Sequence, residues 1–263
     1  MKLIIAEKYS VVREIARVIG GAHTSKIGNY TYFICREYII AYANGHLIRL
    51  AEPQELKPEW GGRWSLSTLP MLPIEFKLVP IANKKPILSA LISLMKLPEI
   101  TGFICATDAG KEGELIYRYI YYYAGVRKPF QRLWISSITD ESIRAGLRNL
   151  LDGSVKDSLY RAALARAKLD WLIGCNLSRL YSVHYNTDYS VGRVQTATVN
   201  MIVERDRKIE NFVSSNFYRL YLHNGACWFD LDDDSFASRS AAENIKHGSF
   251  ANVKSKLYFY FIT

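Results

Sequence analysis

Two short, unbroken apolar runs constrain this 263-residue chain more than any other feature. Lys2 to Ala6 and Gly102 to Thr107 are each too short for a helix. The first has the composition of a strand buried on both faces, as in helix-covered parallel sheets, and the second reads as another short apolar strand. Both end directly in acid. Glu7 follows the first, and Asp108, Glu112 and Glu114 follow the second. In open α/β sheets, ligands bind at the carboxyl ends of strands. If the two strands are neighbours, Glu7, Asp108 and Glu112 converge there.

The intervening pattern supports such a sheet. Ser10 to Ile19 reads as a helix capped by Ser10, with Val11, Val12, Ile15, Val18 and Ile19 on one face and Gly20-Gly21 as the stop. Tyr30 to Arg36 and Tyr38 to Tyr42 read as strands. Residues 51–80, rich in Pro, Gly and Trp, read as an ordered but irregular excursion. Lys84 to Leu97 and Glu112 to Tyr123 read as helices, and Leu133 to Ile135 as a third central strand. The alternation predicts an α/β domain with partly parallel strands. From Thr139, a capping residue, the texture turns helical through about residue 212. Alternation from Phe217 and the apolar Leu257 to Ile262 predict strands.

Composition narrows the classes. Hydrophobic residues at 49% and charged residues at 22% exclude wholesale disorder. The net charge of +9, of which +7 lies in residues 1–150, suggests a polyanionic partner. The cysteines, Cys35, Cys105, Cys175 and Cys227, form no CxxC pair and no zinc spacing. No apolar run approaches the ~20 residues of a membrane span, and the N-terminal run is too short for a signal peptide. The expected compartment is the cytoplasm, with no membrane partner.

Carboxylates without Cys or His suit Mg²⁺. The competing reading makes them solvated acids at a helix N-terminus. A strand-end Glu followed later by Asp108-x-x-x-Glu112-Gly113-Glu114 resembles the Toprim domain, whose usual pattern is Asp-x-Asp-x-Glu. Gly110 stands where the second Asp would be, a variant similar to the topoisomerase III-like branch, and this departure is expected to weaken metal binding. Ser190-Val191-Gly192-Arg193-Val194-Gln195-Thr196, with Val203-Glu204-Arg205-Asp206 and Ile209-Glu210-Asn211-Phe212, resembles the signature of type IA DNA topoisomerases. Ala165 to Gly174 is similar to the preceding helix of that family, and Gly45-His46-Leu47 and Pro58 to Trp64 also fit.

The resemblance implies a Toprim (Rossmann-like) sheet domain over 1–139. A helical DNA-binding segment over 140–214 and an incomplete β-containing domain over 215–263 follow. It implies Mg²⁺ held by Glu7, Asp108 and Glu112, catalytic roles for Glu7 and Lys8, and DNA, especially single-stranded, as partner. No nucleotide cofactor is expected. DNA contacts are implied for Ser190, Val191, Gly192, Arg193, Val194 and Gln195, and for Arg166, Trp171, Arg179, His46 and Arg63. Trp171 has two readings, a base-stacking ring or a core ring; Arg179 is a phosphate contact or an ordinary exposed helix residue. The family's nucleophile lies in a Tyr-Pro-Arg-Thr-like motif, and none of the 18 Tyr here precedes a Pro. The expectation is a truncated enzyme unable to cleave DNA by itself. The alternatives are a non-enzymatic single-stranded DNA-binding remnant and another Toprim enzyme, such as a nuclease or primase, which the Gly-Arg-Val-Gln segment opposes.

Overall fold

The first apolar run forms β1 (Lys2–Ala6) and is followed by α1 (Tyr9–Ile19). The computed structural model describes residues 1–214 in full and, beyond them, the backbone of 217–223, 228–230 and 256–262. Ser10 does not cap α1. Lys8 is the N-cap, without a side-chain hydrogen bond, and Ser10 lies in the first turn. Gly20, at φ +79°, ends the helix in a conformation that glycine adopts without strain.

Strands β2 (His23–Ile27), β3 (Tyr30–Cys35) and β4 (Tyr38–Tyr42) pair antiparallel. The polar β2 carries no apolar alternation, so its sequence hides it. Residues 51–80 are indeed irregular, holding only β5 (Ile48–Leu50) at their entrance, α2 (Pro53–Leu56), two single-turn helices and β6 (Leu78–Pro80). Then come α3 (Lys85–Lys96), β7 (Gly102–Ala106), α4 (Lys111–Ala124) and β8 (Phe130–Arg132). The strand expected at Leu133 to Ile135 thus ends at Arg132. Its pairing begins early, because the Pro129 carbonyl already accepts from the Phe103 N–H at 3.0 Å. After β8 follow α5 (Asp140–Arg148), β9 (Leu151–Asp152), α6 (Asp157–Tyr185) and α7 (Arg193–Glu210). Thr139 caps α5 as its sequence predicts, accepting from the Ser142 N–H.

The seven-stranded sheet runs β2-β3-β4-β1-β7-β8-β9. Strands β4, β1, β7 and β8 are parallel, and Ala6 pairs with Ala106. The two apolar runs are therefore neighbours in register. Leu3, Ile5, Phe103 and Cys105 pack on α3 and α4 through Leu91, Met95, Leu115 and Ile120. Ile4, Ala6 and Ile104 pack on α1 and α5 through Val12, Ile15 and Ile143. Helices on both faces explain why the runs do not alternate with polar residues. Burying each such side chain contributes roughly 1.5–3 kcal/mol.

Met1–Ala197 and Thr198–Thr263 form two compact units, with α7 crossing the boundary. The expected boundary at 139 falls within the first unit, and that at 214 within the second. In the second unit, β10 (Phe217–His223) lies between β11 (Trp228–Asp230) and β12 (Lys256–Ile262), antiparallel to both. Cys35, Cys105 and Cys175 are free thiols, and Cys227 lies outside the described residues. Among the described residues no helix is long and apolar enough to cross a membrane.

Candidate functional site

The register of β1 against β7 brings Glu7 and Asp108 to the same sheet end. The turn after β4 closes over it, with Asn44 and Gly45 donating backbone N–H groups to the Glu7 carbonyl at 2.7 and 3.4 Å. Burial raises the Glu7 carboxyl pKa, and the Asp108 charge raises it further; Lys8 and His46 oppose the shift. Two carboxylates near enough to repel one another form a local excess of negative charge that a cation would relieve. The Lys8 ammonium supplies part of that relief, donating to Asp108 Oδ2 at 3.1 Å. Both side chains are more than half exposed, so this is a solvated, exchangeable pair.

The third expected ligand, Glu112, is engaged by His46 at the same sheet end. Glu112 Oε1 meets His46 Nε2 at 3.0 Å, and among the described residues no group of three or more Asp, Glu, His or Cys could hold a metal ion together. Glu7 and Asp108 converge; Glu112 is held by the imidazole that follows the β4 turn. Glu114 is fully buried and bonded to Arg132 and Arg118, so it faces away from solvent chemistry. Glu7 and Asp108 together offer oxygen donors only. This fits Mg²⁺, which commonly takes one or two protein carboxylates and completes its octahedron with water and phosphate.

Gly113 explains the Glu-Gly-Glu spacing. A Cβ there would lie 2.1 Å from the Asp108 carbonyl oxygen, so the first turn of α4 can close on the Asp108 turn only without a side chain. Thr107 Oγ1 donates to the Gly113 carbonyl at 2.8 Å and locks the approach. Gly110, by contrast, has an extended φ of −170° and open space around it.

A second feature lies along α6. A cleft of about 710 Å³ is lined by Trp64, Asp170, Cys175, Arg179, Ser190 and Val191, among others. Ser190 and Val191 reach it because the loop before α7 is laced onto α6. Val191 N–H donates to Ser178 Oγ at 2.9 Å, and Tyr189 N–H to Ser182 Oγ at 2.8 Å. Gly192 N–H donates to Thr196 Oγ1 at 3.1 Å, and Ser190 Oγ donates to Gln195 Oε1 at 3.2 Å. Arg193 opens α7 and donates through Nε to Asp170 at 2.9 Å; Arg166 lies 3.8 Å from the same carboxylate. Val194 is exposed beside them.

Arg179 is only 5% exposed. Its guanidinium stands over the Trp64 ring at 5.2 Å, and it has no ion pair or hydrogen bond with a described residue. Burial lowers its pKa. Trp171 does not face this cleft. Its Nε1 donates to the Ala51 carbonyl at 2.8 Å, and its ring packs edge-on to Phe76 at 5.4 Å and near Trp60 at 6.5 Å. Trp64, 42% exposed, is the ring the cleft presents instead. Sequence alone did not separate these tryptophans, because which ring is covered depends on the distant Ala51, Phe76 and Trp60 that pack against Trp171. Arg63 is exposed on an adjoining cleft with Asn186 and Asp188. The Thiol of Cys175 in the main cleft is pushed up to about 11 by burial.

The chain that carries these features is similar to known proteins. A Toprim domain family model matches residues 2–138, just over half of the chain, and a DNA topoisomerase model matches 154–256. The chain belongs to the type IA DNA topoisomerase family. DNA topoisomerase 3 of Bacillus thuringiensis (strain Al Hakam) is 42% identical over 216 residues, covering 82% of this chain and 29% of the relative. DNA topoisomerase 3 of Bacillus subtilis (strain 168) is 40% identical over the same shares. The chain therefore spans about 29% of the length of these topoisomerases. Full-length topoisomerase I from Thermotoga maritima shares the fold, with a TM-score of 0.55 at 24% identity over 93% of this chain and 37% of that one.

Proposed function

We propose that this chain is the metal- and single-strand-binding part of a type IA DNA topoisomerase, working in the cytoplasm. The observation that carries this reading is Arg179, a nearly buried cation with no ion pair or hydrogen bond to a described residue and only the longer-range attraction of Glu52, on a cleft that also presents Trp64. A desolvated, unpaired charge is costly until an anion completes it. A DNA phosphate supplies two oxygens to the planar guanidinium fork. Trp64 offers a face for an unstacked base, which a single strand exposes and a duplex hides. Arg193 and Arg166 add charge, but Asp170 already neutralises much of it.

At the sheet end, Glu7 and Asp108 would hold Mg²⁺. When bound, the ion neutralises phosphate oxygens. Displaced from Asp108, the Lys8 ammonium is free to hydrogen-bond a phosphate oxygen. His46 Nε2, within hydrogen-bond distance of Glu112, can hold a proton at the same end. No Tyr in the sequence precedes a Pro. We therefore assign this chain strand and metal binding, and assign cleavage and strand passage to architecture like that of the longer relatives.

Fluorescence anisotropy with a labelled deoxyoligonucleotide tests this. The purified chain is expected to bind single strands at low salt. Arg179→Ala and Trp64→Ala are each expected to weaken binding about tenfold, from the roughly 1–3 kcal/mol of a base stack or charged contact. Arg193→Ala should have a smaller effect, since its charge is already paired. Absence of binding at low salt would sink the reading. A covalent 5′-phosphotyrosyl adduct would overturn the assignment of binding without cleavage, and metal-dependent hydrolysis lost in Asp108→Ala would point to a nuclease.

A further inference from the structure

Arg132 ends β8, is completely buried, and lies against the Trp134 ring at 4.9 Å. Its Nε donates to Glu114 Oε1 at 2.5 Å. Nη1 donates to the carbonyls of Cys105 at 3.0 Å and Leu133 at 2.5 Å. Nη2 donates to the carbonyl of Asp108 at 2.8 Å. One planar fork thus ties the ends of β7 and β8, the first turn of α4, and the backbone of a proposed metal ligand. The Asp108 carbonyl is also bonded by the Gly110 N–H at 2.9 Å, and it faces Gly113, where a Cβ would clash at 2.1 Å. Three neighbours therefore fix one peptide unit, and with it the Cα–Cβ bond from which the Asp108 carboxylate projects.

The other half of the buried network makes no such contact. Arg118 donates to Glu114 Oε2 at 3.2 Å, to Asp157 at 2.6 Å and to the Gly153 carbonyl at 2.8 Å. It shares the Glu114 anchor but is one step removed from the Asp108 turn. The two arginines thus separate positioning from burial of charge.

We propose that Arg132 is a positioning residue that holds Asp108 for the divalent cation, acting through the Asp108 peptide rather than through charge alone. The inference rests on the reading of Glu7 and Asp108 as a Mg²⁺ site. A lysine at 132 would keep the positive charge but not the planar fork, since an ammonium directs its donors from one point. Charge compensation of Glu114 would survive such a change, while simultaneous contact with Cys105, Leu133 and Asp108 would not.

The test is Mn²⁺ binding by the full chain, followed by the EPR signal of free Mn²⁺, with thermal melts run alongside. Arg132→Lys is expected to weaken Mn²⁺ at least tenfold. Arg118→Lys is expected to lower the melting temperature while leaving Mn²⁺ affinity within about twofold of the parent. Gly113→Ala displaces the same carbonyl from its other side, leaves the arginine intact, and should weaken Mn²⁺ as Arg132→Lys does. If Arg132→Lys does not fold, the contrast between Gly113→Ala and Arg118→Lys decides by the same criterion. Parent-like Mn²⁺ affinity in Arg132→Lys, or equal weakening in Arg118→Lys, would overturn the positioning role. A parent chain that binds no Mn²⁺ would instead remove the metal site on which the inference rests.

Discussion

At the residue scale, the site is defined as much by glycines as by acids. Gly113 is required because a backbone oxygen occupies the space a side chain would need, and a carbonyl held by Arg132 cannot yield. Gly110 is under no such constraint. Its backbone is extended and its surroundings are open, so the missing second Asp of the Toprim pattern reflects no steric exclusion. A carboxylate placed there would sit at the N-cap of α4, where the helix dipole favours negative charge. Gly110→Asp is therefore expected to tighten Mn²⁺ binding severalfold, read by the same EPR titration. Unchanged affinity would mean that position 110 does not face the cation.

At the scale of elements, long helices are placed by a few polar anchors. Asn176 on α6 accepts from the Met71 N–H at 2.6 Å and returns a bond to the Met71 carbonyl at 3.1 Å. With Trp171 on Ala51, it fastens the irregular 51–80 segment to the helix that carries Arg179. The tyrosine-rich α4 is likewise a packing element. Tyr117 and Tyr121 lie 5.1 Å from the Phe130 ring, and Tyr122 lies 5.7 Å from Tyr160 of α6. On the other sheet face, Arg17 of α1 grips Asp140 of α5 through both Nη atoms. That partner lowers the Asp140 pKa below its ordinary 3.8. The pair therefore stabilises the fold above that ordinary value, and its contribution disappears as pH falls through the lower folded value. Asp140→Asn is expected to melt slightly earlier than the parent at pH 7, and the gap should narrow as pH is lowered below 3.8. A gap that persists in acid would show that the aspartate acts through something other than its charge.

At the scale of the whole molecule, the cations behind the +9 charge differ in pairing and burial. Lys8, Arg17, Arg49, Arg118, Arg132 and Arg193 all have carboxylate partners. Among the described residues Arg179 has no such ion pair, only the longer-range attraction of Glu52, and it faces the cleft that Trp64 lines. Binding to single strands should weaken with salt by counterion release, and each phosphate contact adds about 0.7 to the slope of log affinity against log salt. Arg179→Ala should reduce that slope by about this amount, whereas Trp64→Ala should weaken binding and leave the slope unchanged. Parallel salt series on the two variants would separate the charged contact from the stack; identical slope changes would contradict the division.

The sequence by itself determined that the runs at Lys2–Ala6 and Gly102–Thr107 would be short buried strands, because unbroken apolar runs of that length have few other stable homes; that they are neighbours in register came from the fold. It also determined that acids would stand at their carboxyl ends, and its motifs carried the family. What it could not rank was the acids themselves. Glu7, Asp108, Glu112 and Glu114 look alike as letters, yet Glu112 belongs to His46 and Glu114 to two buried arginines. The same holds for Trp171 against Trp64, and for Arg132, hidden where β8 was expected three residues later. Periodicity encodes how a segment packs against its own sheet or helix. Which polar group loses its water, and which partner replaces it, depends on side chains far away along the chain, so only the tertiary structure decided it.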